Sequence, residues 1–471
     1  MQSMSSSSNG GVHILVFPFP AQGHMLPLLD LTHQLSLRGL AITIIITPKN
    51  LPILTPLLSS SPSIQTLILP LPPHPSLPPG VEHVQHIGNH GNIPIIAALC
   101  KLRDPIIQWC ASHPNPPSAL LSDFFLGWTH ALADHLRIPR IVFYSSGAFT
   151  VAVFDHIWAN YDSLEPESDL KLDDLPRSPS FPWVQLPSLF RRCKDLECRD
   201  KTAADFIKTS MAANAVSWAS VYNSIWGLEG QFLSSKTAHQ RVYSVGPLNL
   251  LDGWSKLRLG DVKPGSDDGV VAWLDGCGDG SVLYVCFGSQ KLLKAAQAEA
   301  LAAGLERSGI RFIWVVKDLT AQQVADGYGS VPDGFEARVS DRGLVVKGWA
   351  PQTAILSHRA VGGFLGHCGW NSTLEAVAAG VMILAWPMEA DQFVNAKLLV
   401  EYMDTAVLIC EGSDTVPHPA ELSRKLSESM IGCATQRGRA KDLRKQALEA
   451  VQIGGSSIAD LDKLAQQLSL L

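Results

Sequence analysis

The chain has 471 residues, with 37 lysines and arginines against 43 aspartates and glutamates, a formal net charge of −6, and 46% hydrophobic against 17% charged residues. That balance excludes a disordered or collagen-like chain, and no Lys/Arg run exceeds a pair, so the basic footprint that nucleic acid or an anionic membrane requires is missing. The length suits two domains, each large enough to bury a core.

In chain order, Met1-Gln2-Ser3-Met4 and the serines after it present no basic region ahead of an apolar core, which predicts no secretory signal and a cytoplasmic protein. Val12 to Phe17 is a short apolar run that ends at Pro18 and passes through Ala21-Gln22-Gly23 into a helical pattern over His24 to Leu37. Ala41 to Thr47, Ser118 to Phe125 and Arg140 to Ser145 repeat the buried-strand pattern. Between them, the Pro-rich stretch Pro70 to Gly80 leads to His83, His86 and His90 at i, i+3 and i+7, a spacing that would share a helical face. No carboxylate or cysteine joins them, so a pocket or surface loop is expected there and no metal site.

Leu250 to Gly280, rich in Gly and Asp, is the expected linker. A second series follows: strands at Ser281 to Gly288, Arg311 to Val316, Gly343 to Lys347, Val361 to Leu365, Met382 to Trp386 and Ala406 to Cys410, with a helix over Ala295 to Ser308. Strands alternating with helices predict an α/β chain of two Rossmann-like parallel-sheet domains facing a cleft, with ligands outside the carboxyl ends of the strands. The expected division is 1–248, 249–450 and a terminal helix over 451–471 that returns to the first domain. The longest apolar stretch, Ala376 to Met388, is interrupted by Gly and Pro and falls short of the ~20 residues of a membrane span. Nine cysteines without CxxC spacing read as reduced structural thiols.

Neither a G-x-G-x-x-G fingerprint after the first strand nor a G-x-x-x-x-G-K-[ST] loop is present, which removes the usual dinucleotide and nucleoside-triphosphate readings. The informative stretch is Trp349 to Gln392. Its strand Val361 to Leu365 ends in Gly366-His367-Cys368-Gly369, and a helix is expected near Asn371-Ser372 with Glu375 in its first turn. Such a helix start offers free N–H groups and a positive dipole end to an anion, although Asn and Ser also cap ordinary helices. Trp349 and Trp370 could stack on a flat ring or sugar face, Glu375 could accept from ribose hydroxyls, and Asp391-Gln392 suit sugar hydroxyls.

The whole run resembles the 44-residue signature box of plant secondary-product glycosyltransferases, the family 1 enzymes that use UDP-sugars to glycosylate small molecules. The resemblance extends to Phe19-Pro20-Ala21-Gln22-Gly23-His24, Ser122-Asp123-Phe124, Val285-Cys286-Phe287-Gly288-Ser289, Val221-Tyr222-Asn223-Ser224 with Leu228-Glu229, and Val245-Gly246-Pro247. Gly366 stands where threonine is usual, and Met382 where proline is. The resemblance implies the GT-B fold. It also implies that Trp349 stacks on uracil, with Ala350 beside it, that Gln352 meets the nucleoside and Glu375 the ribose, and that His367, Asn371, Ser372 and Ser289 hold the diphosphate. Trp370, Asp391 and Gln392 would contact the sugar. His24 would be the general base and Asp123 its carboxylate partner. The plainer readings are a structural histidine at a helix start and a simple cap.

The closing stretch from Met382 to Asp391, with Cys410-Glu411-Gly412 and Gly454-Gly455-Ser456-Ser457, resembles the branch that includes flavonol 7-O-rhamnosyltransferases and related phenolic glycosyltransferases. A flavonoid or phenolic acceptor is therefore expected, with the flavonol 7-hydroxyl first among its positions. A final Gln in the box, here Gln392, is typical of UDP-glucose users in the family, and UDP-rhamnose is the alternative. The acceptor pocket is expected from 72–92, 143–149 and 181–192. No cofactor, no metal and a monomer are expected. A nucleotide-sugar epimerase or dehydrogenase would need the missing glycine fingerprint, and a non-catalytic UDP-sugar sensor would not need His24 and Asp123. Asn371-Ser372-Thr373 also matches the N-glycosylation pattern, a coincidence in such a loop.

Overall fold

The structure, a computed structural model, describes residues 11–166, 168–237, 241–251 and 266–471. The amino-terminal stretch read for a secretory signal and the centre of the expected linker lie outside the described residues. The strands are β1 (His13–Phe17), β2 (Ala41–Ile46), β3 (Gln65–Ile68), β4 (Ala119–Asp123), β5 (Arg140–Tyr144), β6 (Leu170–Lys171), β7 (Ser180–Phe181), β8 (Ala219–Tyr222), β9 (Arg241–Ser244), β10 (Val282–Cys286), β11 (Arg311–Val316), β12 (Gly343–Lys347), β13 (Val361–Gly366), β14 (Met382–Ala385) and β15 (Ala406–Leu408). A seven-stranded sheet runs in the order β3-β2-β1-β4-β5-β8-β9 and a six-stranded sheet in the order β12-β11-β10-β13-β14-β15; every pairing in both is parallel. β6 and β7 form a small antiparallel hairpin.

Both faces of each sheet are covered, which is why the strands read as unbroken apolar runs. In β1, Leu15 and Phe17 enter one core with Leu120 and Val142, while Ile14 and Val16 enter another with Leu121 and Phe143. The second sheet repeats this, Leu283 and Val285 facing one way, Val282 and Tyr284 the other. Strands β3 and β9 lie at the sheet edges and carry polar or exposed residues (Gln65, Thr66, Arg241, Ser244), and β8 holds Ser220, so none of the three reads as an apolar run. The expected strand Ser118 to Phe125 closes at Asp123, because that carboxylate accepts the N–H of Phe125 at 2.8 Å and turns the chain into a single 3₁₀ turn.

His83, His86 and His90 share no helical face. Val84–His86 and Asn89–Gly91 are separate three-residue 3₁₀ turns, broken at Gly88 (φ 77°), a left-handed conformation that glycine adopts freely.

The two sheets are joined by more than the linker. Trp370, Leu374, Val377, Val394 and Leu398 from helices beside the second sheet reach into a core of the first, as do Leu443, Ala447 and Ala450 of helix Ala434–Ala450. The last helix, Ser456–Leu468, lays Leu461, Leu464, Ala465 and Leu468 on the other face of the first sheet. Ser457 there donates to the Gly246 carbonyl at 2.6 Å.

Candidate active site

In each sheet the chain order reverses once, between β1 and β4 and between β10 and β13. At such a switch point the adjoining loops part and leave a crevice beyond the carboxyl ends of the strands. The two crevices open into one cleft of about 1130 Å³, walled by His24, Phe125 and Ser146 from the first domain and by Ser289, Trp349 and His367 from the second.

His24 lies in the first turn of helix Gln22–Leu37, which follows β1, and Asp123 is the last residue of β4. The imidazole Nδ1 stands 3.0 and 3.1 Å from the two carboxylate oxygens. A carboxylate only accepts, so Nδ1 carries the proton and Nε2 keeps a lone pair. Phe124 stacks on the ring at 5.2 Å, and Phe19 and Phe125 close on it at 5.3 and 4.4 Å, fixing its orientation. Asp123 is fully buried, with the buried Arg140 guanidinium behind it in contact with Ser122, Thr129 and Ser217. Burial lowers the Arg140 guanidinium to about 10, and the Tyr144 and Asp123 side chains partly offset this.

Across the cleft, helix Trp370–Ala379 begins at Gly369, which carries no capping side chain. This corrects two expectations. Asn371 and Ser372 are the second and third helical residues and not its cap, and Glu375 lies in the second turn. A glycine cap leaves the first N–H groups open to a ligand. Asn371 instead donates from Nδ2 to the Gly23 carbonyl at 2.8 Å, beside His24 and across the domain boundary. Gln352 Nε2 donates to Ser372 Oγ at 3.1 Å and to Glu375 Oε2 at 2.5 Å, and its Oε1 accepts from Tyr284 at 3.3 Å. The Ala350 carbonyl accepts the Gln352 N–H, and the Trp349 ring stands 53% exposed on the wall beside them.

His367 follows β13. Burial, with Lys317 and Lys291 nearby, pushes its imidazole down to about 4, so it is neutral at physiological pH. A Cβ at Gly288 (φ 74°) would fall 2.7 Å from His367 Nε2, so only glycine lets the loop carrying Ser289 lie against the ring.

The residues expected at the sugar are already tied to the protein. Trp370 is 3% exposed and donates its indole N–H to the Asn223 carbonyl at 2.8 Å. Asp391 accepts from Ser146 at 2.9 Å, and burial pushes its carboxyl above the usual range. Gln392 Oε1 accepts the N–H groups of Met388 and Glu389, each at 3.0 Å, which leaves its NH₂ as the end available to a ligand.

The family described as UDP-glucoronosyl and UDP-glucosyl transferase matches residues 260–410. The chain is 50% identical to UDP-glycosyltransferase 89A2 of Arabidopsis thaliana over 462 residues, covering 97% of this chain and 95% of that one. The chain belongs to the UDP-glycosyltransferase family. It is also 47% identical to flavonol 3-O-glucosyltransferase UGT89B1 of Arabidopsis thaliana, covering 97% and 96% of the two chains. A crystal structure of Arabidopsis thaliana UGT89C1 complexed with UDP-L-rhamnose superposes with a TM-score of 0.77 at 37% identity, covering 98% and 99%.

For a UDP-glycosyltransferase, the arrangement offers a carboxylate-held imidazole on one wall and an open helix start on the other. Sequence reasoning singled out neither Ser146, the partner of Asp391, nor Lys291 and Lys317, which line the cleft beyond His367. The lysines had one signal in the sequence: each follows the end of a predicted strand, where ligands of open α/β sheets gather. Among the described residues no group of His, Cys, Asp or Glu is placed to hold a metal ion, and no helix is long and apolar enough to cross a membrane.

The same cleft predicts an acid sensitivity. His83 lines it, 6% exposed, its Nδ1 accepting the Gln85 N–H at 3.0 Å. Burial, reinforced by His86, pushes the His83 imidazole down to about 4 from 6.5. Below pH 6.5 the unfolded chain binds this proton and the folded chain does not, so stability falls as pH drops toward 4. Between pH 6.5 and 5 the group accounts for a loss of about 1.5 kcal/mol. Thermal melts at the two pH values should show a smaller acid-induced drop in Tm for His83→Gln than for wild type. An equal drop refutes the assignment.

Proposed function

We propose that this UDP-glycosyltransferase is an inverting O-glycosyltransferase that carries a sugar from a UDP-sugar to a hydroxyl of a flavonoid or other phenolic small molecule, with the flavonol 7-hydroxyl as the leading position. The observation that carries the reading is the His24–Asp123 pair set opposite the helix start at Trp370 across one cleft. The acceptor is assigned to the domain of residues 1–248, where Phe124, Phe125, Phe154 and Leu189 give an apolar wall suited to a flat ring. The donor is assigned to residues 249–450.

A phenol is a weak nucleophile at neutral pH, and the Nε2 lone pair of His24 takes its proton as the oxygen attacks C1 of the sugar. Asp123 holds the imidazole in the accepting tautomer and stabilises the imidazolium that forms. The bond from C1 to the diphosphate oxygen breaks with its electron pair going to UDP, so the configuration at C1 inverts. Trp349 stacks on the uracil, Ala350 and Gln352 contact the nucleoside, and Glu375 takes the ribose. His367, Asn371, Ser372, Ser289 and the open N–H groups of the helix meet the diphosphate. In this reading the protein needs no metal or resident cofactor and works as a cytoplasmic monomer.

UDP-glucose is the favoured donor, because Gln392 closes the signature box as it does in UDP-glucose users, with its oxygen held by the backbone N–H groups of Met388 and Glu389 and its NH₂ left for a sugar hydroxyl; the 47% identity to a flavonol 3-O-glucosyltransferase supports this. UDP-rhamnose is the second reading, supported by the likeness to the structure complexed with UDP-L-rhamnose. Product masses after incubation with kaempferol and either UDP-glucose or UDP-rhamnose test both. A hexose gain with UDP-glucose alone is expected, and a deoxyhexose gain with UDP-rhamnose alone reverses the donor assignment. No product with either donor overturns kaempferol as an acceptor.

A further inference from the structure

Lys317 is the first residue after β11, and it lines the cleft together with Lys291, Ser289 and His367. Its Nζ donates to the Lys291 carbonyl at 3.0 Å, which turns the side chain back along the end of the sheet toward the loop that carries Ser289. Among the described residues no carboxylate pairs with either lysine, and the neighbouring Asp318 acts on Lys347 instead. Cys286, at the end of β10, is the acidic group that faces Lys317, and burial pushes its thiol up, so it stays neutral and offers no counter-charge. Both lysines also lie close enough to His367 to help keep that imidazole neutral. Two cations without a counter-charge, on the wall of a cleft beside His367, make a positive well for an anion.

We propose that Lys317 is a further catalytic residue, its ammonium meeting the diphosphate of the UDP-sugar and the charge that develops on it as the C1–O bond breaks. The assignment rests on the donor reading above. Lys291 positions it: its carbonyl anchors the ammonium, and its own charge adds to the field. Burial lowers Lys317 to about 8, so it is still largely protonated at neutral pH, and a partly dehydrated ammonium interacts more strongly with an anion than one in bulk water. A preorganised cation aimed at the leaving group takes over part of what a metal ion does in other phosphate chemistry.

Calorimetric titration of UDP and of uridine into wild type and Lys317→Met separates charge recognition from structure. Losing a hydrogen bond to a charged group should weaken UDP by about 10- to 100-fold and leave uridine within about twofold, since uridine keeps every contact except the phosphates. Turnover of UDP-glucose should fall with UDP affinity, and Lys317→Arg, which keeps the charge, should recover most of both. Lys317→Gln, which can still donate to the Lys291 carbonyl, covers the case in which the methionine variant does not fold. Equal losses for UDP and uridine mean a structural role and overturn the assignment, as does UDP affinity that does not change. Wild-type protein that fails to bind UDP overturns the donor reading and this assignment together, whereas wild-type binding with an indifferent variant overturns this assignment alone.

Discussion

Replacing His24 with alanine is expected to lower kcat by about 10²- to 10⁴-fold, the range of a single general base, with UDP affinity unchanged. The two effects separate because His24 is held within the first domain, where its polar partner is Asp123 and its ring neighbours are Phe19, Phe124 and Phe125. No group assigned to the nucleotide contacts its ring, and the nearest bond across the domains, from Asn371 to Gly23, uses a backbone carbonyl that alanine leaves in place. Steady-state rates with a phenolic acceptor, paired with UDP titration, check this. Turnover within a few-fold of wild type would sink the base assignment, and a parallel loss of UDP affinity would point to misfolding.

Asp123→Asn carries the second large effect and adds a stability cost that His24→Ala lacks. An amide can present its NH₂ to the imidazole and favour the tautomer with the proton on Nε2, the nitrogen that must accept, so kcat is expected to fall by about 10²- to 10⁴-fold. The same carboxylate is the negative charge nearest the buried Arg140, and it accepts the N–H of Phe125. Removing the charge takes away one of the groups that offset the burial of that guanidinium, which should cost about 1–3 kcal/mol and appear as a lower Tm. A stable variant with low kcat would confine Asp123 to its role beside the imidazole. An unstable variant with wild-type kcat would make it a structural cap, the plainer reading of its position.

Much of the architecture was legible because parallel strands buried on both faces leave unbroken apolar runs such as Ala41 to Ile46, with no competing signal. Strands with polar residues left none: β8 holds Ser220 and β9 is bounded by Arg241 and Ser244, and their place in the sheet depends on neighbours distant in sequence. The helix start at Gly369 was misplaced by two residues for a related reason. Asn and Ser are good caps locally, but here Asn371 is drawn to Gly23 of the other domain and Ser372 to Gln352. Likewise, the spacing of His83, His86 and His90 implied a helical face that Gly88 interrupts.

The residues alone carried the chemistry types: an imidazole after the first strand, a carboxylate at the end of another, and a helix start after Gly369 within a run of specific family resemblance, placed there at Asn371-Ser372. These are local in sequence, because each requires only a few residues next to a strand end. Tertiary structure decided what those groups are free to do. It set Nδ1 of His24 against Asp123 across 99 residues, engaged the indole of Trp370 with Asn223, and held one end of Gln392 on the backbone. It also brought two lysines without a counter-charge to the far side of His367. Partners so distant in the chain meet only when two sheets close over a shared core, and no local pattern records which hydrogen bonds that closure completes.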